Sequence, residues 1–68
     1  MNTHFDIIAH MVTLPRTSPT MIRVFNEFLT REAHIKETAD SIEQLRRISI
    51  ERYILEQRAW NSFRGIHR

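Results

Sequence analysis

The chain has no cysteine, so neither a disulfide framework nor a thiolate metal site can stabilise it. It holds one glycine and two prolines in 68 residues, which leaves no material for a glycine-rich loop that cradles phosphate. No apolar run approaches the roughly 18 residues that a membrane-spanning helix requires. The segment Met1 to Asp6 lacks the basic stretch and long apolar core of a secretory leader. These absences point to a soluble, cytoplasmic chain without a membrane anchor, a cofactor or a small-molecule substrate.

Length sets the next bound. With 68 residues there is room for a single domain, residues 1–68, and a domain of this size buries only roughly 60% of its unfolded surface. Self-association is one common remedy for such a thin core. Hydrophobic residues at 41% and charged residues at 26% fit a folded, helix-rich chain and not a disordered one.

The net charge of +2 hides an asymmetry. Residues 1–44 carry four basic side chains against six acidic ones, whereas residues 45–68 carry six against two. Nine of the ten basic residues are arginine, the side chain suited to forked contacts with carboxylates or phosphates.

Thr3 followed by Asp6 has the form of a capping box, and Phe5, Ile8 and Val12 recur at helical spacing up to Pro15. A short first helix is predicted at about residues 4–13. A strand is the alternative, since His4 to Leu14 is rich in Ile, Val and Thr, but nothing else in the chain reads as its pairing partner. Leu14 to Thr17 is a loop, and Ser18-Pro19 is the strongest local signal: serine as N-cap, proline where its missing N–H costs nothing.

No Gly or Pro occurs from residue 20 to residue 64, so a break must come from a subtler signal. Thr38 to Ser41 is the first choice, with Asp40 capping and Glu43 three residues on; Ser49 is the second. Gly65 is expected to close the last helix in the left-handed conformation, bringing Ile66 back over Trp60. Arg58, Arg64 and His67 would then lie near the negative end of the helix dipole. The expected architecture is all-α: a short N-terminal helix and two longer ones, as a hairpin or a bent long helix, in a dimer.

On a helical projection Met21, Ile22, Val24, Phe25, Phe28, Leu29, Ala33, Ile35, Ala39 and Ile42 cover about half the circumference. Further on, Leu45, Ile48, Tyr53, Leu55, Ala59, Trp60 and Phe63 form the main arc, while Ile50 and Ile54 sit round the other side. A two-helix hairpin cannot cover both surfaces, so either the first helix folds over the second one or another subunit does, and the small size favours the subunit. Set into the apolar arcs are the pairs Glu32–Lys36 and Arg52–Glu56. At the edge of a face such pairs contribute a few tenths of a kcal/mol, and buried across an interface they penalise wrong partners.

Catalysis finds little support. The histidines at 4, 10, 34 and 67 are scattered; Asp6 and His10 are neighbours on a helix but form a lone pair; and His4, Asp6 and His10 lack the supporting shell of a metal site. No catalytic, cofactor or metal residue is assigned. The segment Lys36 to Ile54 has a helix-turn-helix reading, with a turn at Arg46-Arg47-Ile48, Ser49 as N-cap and Arg52 presented to the major groove. The two ways of phasing that motif exclude each other. Leu29-Thr30-Arg31-Glu32 is similar to the opening of the DNA-binding domain of quorum-sensing-type regulators, but lies too close to the turn for that family, to which the chain is not assigned. Acids at 51 and 56 and the broad apolar coverage fit protein packing better than a membrane surface.

The sequence therefore points to a small non-enzymatic regulator or adaptor. It would dimerise through a shared core of Phe25, Phe28, Ile35, Ile42, Leu45, Leu55 and Trp60, and bind another protein through Ile50, Tyr53, Ile54 and Arg58. The alternative is a DNA-binding transcriptional regulator using residues 36–62, with Arg46, Arg47, Ser49 and Arg52 as contacts.

Overall fold

A computed structural model of the chain describes residues 5–66, with only the backbone of Ile66. Three helices follow one another: α1 (Ile7–Met11), α2 (Pro19–Thr38) and α3 (Ile42–Ile66). No strand occurs among the described residues. The chain is all-α with a short helix ahead of two long ones, and the long pair is a hairpin rather than one bent rod.

α1 is shorter than the predicted 4–13, because Asp6 is its N-cap: with extended backbone, its Oδ1 accepts the Ala9 N–H at 3.2 Å. Thr3, the predicted cap, lies outside the described residues. Five residues cannot hold a helix alone. This one is held by packing, since Ile7, Ile8 and Met11 are all 1% exposed or less. Each such side chain contributes roughly 1.5–3 kcal/mol when fully buried.

A run of turns then leads into α2. Ser18 caps it as expected, its Oγ accepting the Met21 N–H at 3.1 Å, with Pro19 at the first helical position. α2 stops at the first-choice break, where Ala39 is extended. The cap of α3 falls one residue later than predicted: Ser41 Oγ accepts the Gln44 N–H at 3.4 Å and Gln44 Oε1 accepts the Asp40 N–H at 3.1 Å. Glu43 faces Arg47 instead.

α3 runs unbroken from Ile42 to Ile66, which overturns two expectations. Ser49 is a mid-helix residue and caps nothing. Gly65 is helical too, since no described glycine has positive φ, and it does not terminate the helix.

Phe25 and Phe28 of α2 meet Ile48, Leu55 and Ala59 of α3, and α1 lies across the pair with Ile7, Ile8 and Met11 turned into the same cluster. Phe25, Phe28 and Leu55, assigned to a core shared between subunits, are sealed inside one chain. Ile42 at 79%, Leu45 at 39% and Trp60 at 41% exposure are left outside it. α1, whose three apolar side chains join the cluster, gives Phe25, Phe28 and Leu55 the cover expected from a partner.

A candidate protein-docking face on α3

The centre of the molecule is polar. The Arg52 guanidinium donates to both Glu32 oxygens at 2.6 and 2.8 Å, to Asp6 at 3.3 and 3.4 Å and to Glu56 at 3.1 Å. Its Cζ lies 5.6 Å from the centroid of the Phe28 ring, adding a cation–π contact. Glu32 is buried, and Lys36 reaches it at 3.6 Å from an exposed position. The two embedded pairs are thus not solvated edge contacts. Their inner members bond each other across the hairpin, and Asp6 ties α1 to the same cation.

Electrostatics follows from this geometry. The forked bond from Arg52 holds the Glu32 carboxyl below its usual range, against burial. Burial pushes Asp6 up, but the Ala9 N–H and Arg52 outweigh it and hold that carboxyl low. Glu32, with Asp6 and Glu56, raises Arg52, so the cation is permanent. A second fork, Arg31 to Glu51 at 2.8 and 2.7 Å, joins α2 to α3 at the surface and lowers Glu51.

These bonds determine what α3 shows to solvent. The two acids that interrupt its arginine run in sequence, Glu51 and Glu56, are both bonded to cations on the hairpin side. Among the described residues Arg46 and Arg58 meet no carboxylate, Arg64 bonds Asn61 at 3.5 Å, and Arg47 shares Glu43 at the N-terminal end.

Between those arginines runs an apolar spine. Ile50 is 54%, Tyr53 63%, Ile54 49% and Trp60 41% exposed. Arg46, Ile50, Tyr53, Gln57, Trp60 and Arg64 recur at alternating steps of four and three, so they form one seam about 27 Å long at 1.5 Å per residue. Tyr53 and Trp60, assigned by sequence to the core arc, belong to this seam with Ile50; Tyr53 is about 140° round the helix from Ile48. The proposed partner-binding set Ile50, Tyr53, Ile54 and Arg58 is brought together on one side of α3.

Gln57, Trp60 and Phe5 extend that face and were missed in sequence. Phe5, His10, Phe63 and Trp60 form a closed circuit of ring contacts, at 5.3, 5.4, 5.7 and 5.9 Å between centroids. The circuit fixes Trp60 and leaves Phe5 half exposed beside it. Asp6 and His10 do not form a pair: one faces Arg52, the other the rings.

The nucleic-acid set fares differently. Arg46 and Arg47 are exposed, but no turn separates them from Ser49, and Arg52 is engaged by three carboxylates and cannot reach a phosphate. No group of three or more His, Asp or Glu side chains among the described residues could hold a metal ion. No described helix is long and apolar enough to cross a membrane. A cleft of about 510 Å³ opens at the start of α2 beside Met11, Thr17, Met21, Ser62 and Gly65. There the buried Thr17 Oγ1 has no hydrogen-bond partner among the described residues. Comparison with known proteins finds no matching family model, no matching curated protein and no matching solved structure.

Proposed function

We propose that this chain is a small non-enzymatic regulatory or adaptor protein that acts by helix-mediated binding to another polypeptide along the outer face of α3. One observation carries the reading: Ile50, Tyr53, Ile54 and Trp60 stand in solvent on one side of a helix whose opposite side already closes a complete core. Exposed aromatic and aliphatic side chains next to arginine are the usual anchors of a protein interface.

Site-specific photocrosslinking in expressing cells tests it. A photoreactive residue at Tyr53 should yield discrete polypeptide adducts that vanish with Ile50→Glu, whereas the same group at Glu27, exposed on α2, should not. Adducts to nucleic acid alone, or equal adducts from both positions, reject the reading. The arginines at 46, 47, 58 and 64 support duplex DNA as a second reading. It requires binding that weakens steeply between about 50 and 200 mM salt.

A further inference from the structure

We infer that the partner of the α3 face is an amphipathic helix with acidic flanks, and not a second copy of this chain. The inference rests on reading α3 as a docking face and concerns what occupies it. The face pairs a seam of alternating four- and three-residue steps, the geometry that receives a helix lying along it, with an excess of positive charge. Arg46 and Arg64 stand at the two ends of the spine with Arg58 on its flank; Glu51 and Glu56 are held by Arg31 and Arg52 on the hairpin side, and Glu43 is shared with Arg47.

A second copy supplies little compensating charge, because its Glu43, the acid nearest the end of the spine, is already shared with Arg47. Laid antiparallel about the middle of the spine, two α3 faces bring Arg46 of each copy toward Arg64 of the other. Laid parallel, each arginine meets its own twin. Packed helices lie roughly 8–10 Å apart, so like charges facing each other across such a pair interact within about one Debye length at physiological salt. A helix with Glu or Asp flanking an apolar stripe meets both demands, filling the spine and neutralising the rim. Duplex DNA meets only the second, because Ile50, Tyr53 and Trp60 occupy the centre of the face where a phosphate contact needs polar groups.

Trp60 is the sole tryptophan and lies on the spine, so its fluorescence reports occupancy directly. The full chain is titrated at low salt with two tryptophan-free helical peptides that share a Leu stripe; one is flanked by Glu, the other by Lys. The Glu peptide should shift the Trp60 emission to the blue and bind at least about tenfold more tightly than its Lys twin, with the preference reversed by Arg46→Glu/Arg58→Glu. Circular dichroism on the double variant verifies that it remains helical. Equal binding of both peptides overturns the acidic-partner inference while leaving α3 as a docking face. So does a dimer in sedimentation equilibrium that Ile50→Glu dissociates when neither peptide binds, which assigns the face to a second copy. If neither peptide binds and the chain is monomeric, the inference falls. If duplex DNA alone moves the Trp60 signal, both the inference and the reading beneath it fall.

Discussion

Arg52→Met removes the one cation on which three carboxylates converge, and its cost follows from where those groups sit. Breaking a fully buried ion pair costs about 3–5 kcal/mol, because the surviving charge is stranded. The Arg52 side chain is 20% exposed, Glu32 9%, Glu56 23% and Asp6 37%, so solvent screens part of that penalty and we expect a loss of about 2–3 kcal/mol at pH 7. A chain of this length has roughly 3–10 kcal/mol in total. With an m-value of about 1 kcal/mol/M in urea, the midpoint should fall by about 2–3 M.

The pH dependence separates this from loss of packing. In the parent, Glu32 and Asp6 sit below their unfolded values of 4.5 and 3.8, so their contribution is present above those values and lost as pH falls through the lower native ones. In Arg52→Met, burial and the neighbouring carboxylates push Glu32 up against only the solvent-screened Lys36, 64% exposed and 3.6 Å away, so that it rises above its unfolded value instead. Stability of the variant should then rise as the pH is lowered from 7 to about 5, where the parent is flat. Adding Glu32→Leu should recover most of the loss, since a well-packed apolar pair replaces a buried ion pair at little cost. Urea melts followed by helical circular dichroism and Trp60 fluorescence at both pH values provide the measurement. A variant within about 0.5 kcal/mol of the parent, with the same pH slope, would refute the claim that Arg52 holds the three helices together.

Gly65→Ala should stabilise the chain by about 0.5–1 kcal/mol, because Gly65 is helical and a methyl there meets nothing within 4 Å; a left-handed glycine would give a loss in the same thermal melt. Thr17→Val replaces a buried hydroxyl without a partner by a methyl and should add about 1 kcal/mol, a rise in Tm of about 4–8 °C by calorimetry. In the parent, Glu32, Asp6 and Glu51 are all lowered, so stability should hold above about pH 5 and decline on acidification. Glu51→Gln should shift that decline only slightly, because its partner Arg31 is half exposed.

Much of the fold was legible locally. Ser18-Pro19 marked the start of α2, and the polar stretch at Thr38 to Ser41 marked the bend, because caps act through a neighbouring side chain and need no distant contact. The end of the chain misled for the same kind of reason: Gly65 permits a left-handed turn without requiring one, and permission is all a lone glycine encodes. The outer set Ile50 and Ile54 could be seen by projection. Tyr53, projected onto the main arc yet chosen for the partner-binding set, and Trp60, placed in the shared core, lie between the two arcs, and only the position of α1 decides which side is the inside.

Periodicity and caps, which depend on residues within four positions of one another, determined that this chain makes helices and roughly where they begin. Which surface is closed was decided by contacts across the hairpin: α1 covers Phe25 and Phe28, while Arg52 abandons a purely intrahelical pairing for Glu32 and Asp6, 20 and 46 residues away. Charge pairing at such separations leaves no local pattern. With the packing of α1, it draws Glu51 and Glu56 to the hairpin side of α3 and leaves an apolar face with unpaired arginines outward.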